Sequence, residues 1–296
     1  MNDKNKDSNV VPFLQRAKEK TNLPSLSKNI NGLLKTIANA DINTRQLADT
    51  VKQFPEISTR LIFLANSAWS APSKPINSVK DACSLLGHSI VKSISFGVSI
   101  ASSFDTRKCP SFKADLFWFT SMMVGQGARL LASKLSDNIP IEDNNFEETV
   151  QTAGILHNIG LLWLADNLPK ETDEALKKIA TNPSVSMNEA LLQYTGTDYC
   201  EVGGWLSTQL GFPSVLIIGI KNHLDSHYQE SFWEAALLVG SAKTMVTKLH
   251  NQNGEIPENT RLEELGLDSS AQQVVFQQLS KESKKTRELA KLLFTG

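Results

Sequence analysis

Two histidines and an amide carry most of the chemistry that this sequence offers. His157 and Asn158 stand side by side in GILHNIGLL, residues 154–162. An adjacent His-Asp pair flanked in this way would give a divalent cation an imidazole and a carboxylate, as in a metal-dependent phosphohydrolase. Here the carboxylate is an amide, which can coordinate through its oxygen but is neutral and does not offset a dication's charge. His223 and His227 form a second candidate pair in NHLDSH. At i, i+4 they would share one helix face, yet the glutamate that follows the first histidine in HExxH zinc sites is missing. Asp225 between them and the approach of a helix end point to solvated or helix-capping histidines.

Other reaction classes find no foothold. There is no GxSxG elbow, and Cys200 has only Tyr199 and Glu201 beside it, with no adjacent base. Neither a GxxxxGK[ST] loop nor a GxGxxG after a strand is present, so no phosphate cradle is expected. Cys83, Cys109 and Cys200 are far apart, odd in number and in no CxxC pair, which argues against a disulfide framework or zinc knuckle and fits a reducing cytoplasm. No cofactor is expected.

Composition narrows the partners. With 296 residues, 41% hydrophobic, 21% charged and a formal net charge of −1, the chain is ordinary for a globular protein and has no strong pull toward nucleic acid or anionic membrane. The cluster KESKKTRELAK, Lys281 to Lys291, mixes signs and lacks interleaved aromatics, so it reads as a solvated helix face. The N-terminus MNDKNKDSNV shows no secretory apolar region. The longest apolar stretch, Ile155 to Ala165, is broken by the His-Asn pair and falls short of the roughly 18 residues of a membrane helix.

The elements that must position these residues are helical. Ile57, Leu61, Leu64 and Ala65, then Val79, Ala82, Cys83 and Leu86, then Ile90, Ile94, Gly97 and Val98 each make one apolar stripe. Ser186-x-x-Glu189, Ser231-x-x-Glu234 and Thr260-x-x-Glu263 have the form of capping boxes, and Ser78-x-x-Asp81 is a weaker version. No alternating β-branched run reaches strand length, so the expected fold class is all-α. The polar stretches TRKCPS, residues 106–111, and NQNGEIPENT, residues 251–260, divide the chain. The expected organisation is an N-terminal extension over 1–21, with 1–9 disordered, then helical subdomains over 22–105 and 106–250, and a charged helical tail over 251–296. The five tryptophans lie in or beside apolar helical segments and read as core.

The segment Pro55 to Gly87, PEISTRLIFLANSAWSAPSKPINSVKDACSLLG, resembles the first half of the HDOD family, the HD-related output domains of bacterial signalling proteins. The carrying residues are Asn66, Ser67, Ala68 and Trp69, then Ile76, Ser78, Ala82 and Leu85 to Gly87. LFWFTSMMVGQGARLLASKL, AGILHNIGLLWL and GTDYCEVGGWLSTQLGFP follow in the family's order, so the resemblance spans about residues 22–250. It implies an N-terminal helical bundle joined to an HD-like helical subdomain. The signature itself has a structural reading: Asn66 closes a helix in the left-handed conformation that asparagine tolerates, and Gly87 ends the next one.

The resemblance also implies where metal ligands would stand, and most are absent. The first histidine would fall near Thr120, but residues 111–135 contain none. The His-Asp pair is His157-Asn158, a further histidine is replaced near Tyr199, and of two consecutive histidines only His223 remains. The late aspartate is missing, and Lys243 stands close to its place. Two neutral imidazoles with an amide and an ammonium make a poor site for manganese, iron or magnesium. The expected function is therefore a non-catalytic signalling module that binds a partner protein or a small ligand. The alternatives are a metal-dependent phosphohydrolase acting on a nucleotide or cyclic dinucleotide, and a metal-free sensor of a nucleotide second messenger. The tail from Arg261 either docks a partner as an amphipathic helix or packs on its own domain.

Overall fold

Apolar stripes at three- and four-residue spacing need partner surfaces, and thirteen α-helices among the described residues provide these for one another. The computed structural model describes residues 32, 33, 36, 37, 42–136, 139, 141, 145–251 and 259–294. The N-terminal extension, with its expected disorder over 1–9, lies outside the described residues. Among those described there is no strand, so the all-α expectation holds. No single described helix is long and apolar enough to cross a membrane.

Helices α1 (Thr44–Val51), α2 (Pro55–Ala65), α3 (Val79–Leu86) and α4 (His88–Ala101) pack together as a first group. Ile57, Leu61, Leu64 and Ala65 are buried along α2, as are Ala82, Cys83 and Leu86 along α3. A capping box that the sequence reading passed over starts α1: the Asn43 side chain accepts from the Gln46 N–H, and Gln46 answers to the Asn43 N–H. Ser78 caps α3 by accepting from the Asp81 N–H at 3.0 Å. Gly87, at φ +81°, both ends α3 and opens α4, a backbone geometry that L side chains rarely adopt.

The second group is built around α5 (Ala114–Ala132), which packs on α6 (Phe146–Leu156), α12 (Trp233–His250) and α13 (Ser269–Phe294). Helices α7 (Ile159–Asn167), α8 (Pro169–Thr181), α9 (Met187–Thr195), α10 (Tyr199–Gln209) and α11 (Ser214–Lys221) complete it, with α10 on α7 and α11 between α6, α10 and α12. The connection after α4 is pinned to α8: Asp173, itself ion-paired to Lys177 at 2.7 Å, accepts the Ser111 N–H at 2.7 Å.

Two of the expected capping boxes are corrected. Ser186 and Glu189 do form one at the start of α9. Ser231, however, is not the cap of α12; Phe232 occupies that position at φ +61° and makes no side-chain cap bond. The turn at Thr260–Leu265 is a 3-10 helix, and its cap is Asn259 rather than Thr260. The S/T-x-x-E pattern marks a helix start only when the hydroxyl residue itself stays extended, which three-residue spacing does not test.

The charged tail packs on its own chain. From α13, the Lys285 ammonium lies 4.6 Å from the Trp69 ring centre, and the Arg287 guanidinium 4.2 Å from that of Phe119. The Trp69 indole N–H donates to the Lys285 carbonyl at 3.1 Å. Phe294 stacks on Trp118 with centroids 4.7 Å apart, and the Arg60 guanidinium donates to the Leu293 carbonyl. The tail thus bridges α2 of the first group and α5 of the second.

Candidate functional site

Both retained histidines are buried, and both face the same cluster. The apolar run through α6 and α7 breaks for one turn at His157 and Asn158, between Leu156 and Ile159. This break turns the His157 ring inward, where the side chain is fully buried. The Nδ1 atom lies 2.7 Å from the Gly154 carbonyl. A carbonyl oxygen only accepts, so the proton sits on Nδ1 and Nε2 carries a bare lone pair. That Nε2 is buried and has no hydrogen-bond partner.

His223 repeats the arrangement from the end of α11. Its Nδ1–H donates to the Ile220 carbonyl at 2.8 Å, which leaves the Nε2 lone pair to accept the Tyr199 hydroxyl at 3.3 Å. The Cys200 thiol is 3.9 Å from the same nitrogen. The two imidazoles meet edge to face, with centroids 5.2 Å apart. Ser121, completely buried on α5, donates its hydroxyl to the Asn158 carboxamide oxygen at 2.9 Å.

The electrostatics favour neutrality. Burial pushes the pKa of His157 well below the ordinary imidazole value, and the nearby His223 and Lys243 push in the same direction. His223 is pushed down to about 4, chiefly by burial and further by Lys243, against the support of the Ile220 carbonyl. Lys243, half-buried on α12, donates to the Thr247 hydroxyl at 3.1 Å, and burial lowers its pKa too. The Cys200 thiol is pushed up to about 12, mainly by burial, which holds it protonated and weakly nucleophilic.

A divalent cation does not fit this donor set. Among the described residues, no group of three or more His, Cys, Asp or Glu side chains is placed to hold a metal ion. The inward-facing tautomers suit metal binding, but the side chains around them do not: a neutral amide, a hydroxyl already bonded to an imidazole, and an ammonium. No step through a metal follows from these residues.

The structure brings His157, Asn158, Tyr199, His223 and Lys243 together from four separate stretches of sequence. Thr120 is half-buried, and Ser121, one residue along, is the side chain that meets Asn158. His223 is buried rather than solvated, but the expected capping role holds for it, since its Nδ1–H donates to the Ile220 carbonyl in the last turn of α11; the two histidines do not share a helix face. The connection after α11 is not helical, and His227 is exposed there, its N–H bonded to Asp225 at 2.9 Å. Asn66 closes α2, but at φ −97° rather than in the left-handed region. Its carboxamide exchanges hydrogen bonds with the backbone of Ile76, at 2.7 Å and 2.8 Å, and ties the following loop to the helix end. Ser67 donates to the Leu64 carbonyl at 2.7 Å, and Ala68 is exposed.

The sequence reading missed Lys92, buried on α4. Burial lowers its pKa to about 8, with Glu148 opposing and Arg129 adding to the effect. Its place in an otherwise apolar and small-residue helix was the available signal.

Known proteins share this architecture. The HDOD domain model matches residues 23–226. A provisionally named signal transduction protein from Marinobacter aquaeolei VT8 superposes with a TM-score of 0.78 at 21% identity over 95% of this chain, which spans 61% of that longer one. An HDOD domain protein with unknown function from Geobacter sulfurreducens gives 0.68 at 20% identity, covering 95% and 96% of the two chains. A provisionally named phosphohydrolase from Shewanella amazonensis SB2B gives 0.68 at 22%, covering 95% and 97%. At these identities the likeness is one of fold. No protein of curated function matches the chain.

Proposed function

The chain belongs to the HDOD domain family, and from that premise we propose that it is a non-catalytic regulatory module of signal transduction. It acts by binding a partner protein or a small ligand, in a compartment where its thiols stay reduced. One observation carries the reading: at or beside the positions where the resemblance implies metal ligands, two pairs of side chains bond to each other instead. Ser121 is spent on Asn158, and Tyr199 on His223. Such pairing satisfies buried polar groups within the protein and leaves no carboxylate to balance a dication. The protonated, buried Cys200 adds no nucleophile.

The bare Nε2 of His157 supports small-ligand binding as a second form of the same reading, because a buried acceptor without a donor suits an N–H or O–H group. Thermal shift against a nucleotide panel separates this form from protein binding. A ligand at 100 times its Kd stabilises the fold by about 2.7 kcal/mol.

The deciding experiment is metal content after dialysis against manganese, iron(II) and zinc, with phosphodiester turnover assayed in parallel on the parent chain and His157→Ala. The module reading expects neither bound metal nor turnover in either chain. Stoichiometric metal with turnover in the parent, both lost in the variant, would establish a phosphohydrolase instead.

A further inference from the structure

The connection between α11 and α12, residues 222–232, differs from everything else around the histidine cluster. Ser121, Tyr199, Cys200 and Lys243 reach the cluster from helices packed on other helices. His157 and Asn158 reach it from a buried two-residue turn between α6 and α7, whereas His223 reaches it from a longer non-helical segment whose other side chains are mostly exposed. That segment is one buried imidazole on a solvated strap. The strap ends at Phe232, an exposed residue other than glycine at φ +61°. This left-handed conformation persists in such a residue only where surrounding contacts impose it.

The strap is also held from beyond the family match, which ends at residue 226. Arg261, in the turn Thr260–Leu265, donates through its two terminal nitrogens to the carbonyls of Ser226 and Tyr228, the latter at 2.8 Å. Its guanidinium also lies 5.6 Å from the Trp233 ring centre. The turn that carries it is anchored by buried Leu262 and Leu265, and Asn259 donates to Ser241 of α12 at 2.9 Å. The forked geometry of arginine lets one side chain hold two carbonyls at once.

We propose that residues 222–232 form a gate over the histidine cluster and that Arg261 is its latch. With the latch engaged, His223 is held against Tyr199 and Cys200. With it released, the strap lifts His223 out, and the same movement uncovers Cys200 and the lone pair of His157. Events at the C-terminal segment thereby reach the cluster, whichever ligand or partner the module serves. The inference does not depend on the absence of catalysis, since a gate would serve a hydrolase equally.

Cys200 reports the opening. Its sulfur is buried between His223, 3.9 Å from Nε2, and the Asn188 amide nitrogen of α9 at 3.6 Å, while Cys83 on α3 and Cys109 beside the Thr106–Lys108 turn are buried elsewhere and act as internal controls. The test is the alkylation rate of each thiol by N-ethylmaleimide on the native full chain, resolved by peptide mass spectrometry. Arg261→Met should accelerate Cys200 by about tenfold or more, the equivalent of one or two lost charge-assisted bonds. Arg261→Lys keeps the charge but not the fork, so it should fall between parent and Met, and it provides the same readout in a milder variant. Cys83 and Cys109 should keep their parental rates. An unchanged Cys200 rate in both variants, or equal acceleration of all three thiols, overturns the gate.

Discussion

Gly160→Ala sets two well-known effects against each other. Gly160 lies in the first turn of α7, where alanine is favoured over glycine by up to about 1 kcal/mol, so propensity alone expects a stabilised protein. Packing expects the reverse. A Cβ on Gly160 would lie 2.1 Å from the Tyr199 carbonyl oxygen and 2.6 Å from the Gly203 nitrogen. Both neighbours are backbone of α10, so no flexible side-chain end can give way. Bringing the contact out to an ordinary separation of about 3.5 Å requires α7 and α10 to move apart by about 1.4 Å, in an interior packed like a crystal. Overpacking of this kind costs about 1 to 3 kcal/mol, and with rigid atoms on both sides the upper end applies. Subtracting the propensity gain leaves a net loss of about 2 kcal/mol. Urea unfolding of the parent, Gly160→Ala and Gly32→Ala measures it. Gly32 is exposed with nothing within 4 Å of its built Cβ, so that variant should be neutral or slightly more stable. A Gly160→Ala chain as stable as the parent would refute the claim that α7 and α10 meet backbone to backbone and fix the position of Tyr199.

Acidification should weaken the fold through His223. The unfolded imidazole titrates near 6.5, whereas the folded one is held to about 4. The unfolded state therefore binds the proton first, and stability that is fully present above pH 6.5 drains away as pH falls toward 4. Between pH 7 and pH 5 this linkage amounts to about 2 kcal/mol. The parent should lose that much more stability over the interval than His223→Gln in paired urea titrations; equal losses would show that the imidazole is not buried in its neutral form. Asn66→Ala should cost about 1.5 kcal/mol, because the bonds to Ile62 and Ile76 are lost at an exposed site where water partly replaces them. Hydrogen exchange at the Ile76 amide should accelerate in that variant, and an unchanged rate would show that the side chain does not hold the loop.

The sequence by itself determined the helical class, the buried stripes of α2 and α3, the caps at Ser78 and Ser186, and the residue types left at His157, Asn158, Tyr199, His223 and Lys243. These are local properties: periodicity repeats within a few residues, a cap acts over three, and the loss of a carboxylate needs no coordinates. Capping assignments failed where they depended on one backbone dihedral, as at Phe232 and Asn259. Only the tertiary structure decided that Ser121 rather than Thr120 meets Asn158, because a one-residue choice on α5 depends on the helix's rotation against α6. It alone showed that His223 is buried while His227 is exposed, that the tail lies across Trp69 and Trp118, and that Arg261 reaches the strap beside the cluster. Contacts between residues 33 to more than 200 positions apart leave no periodic trace in one sequence, since each is set by how the helices stack rather than by any neighbour in the chain.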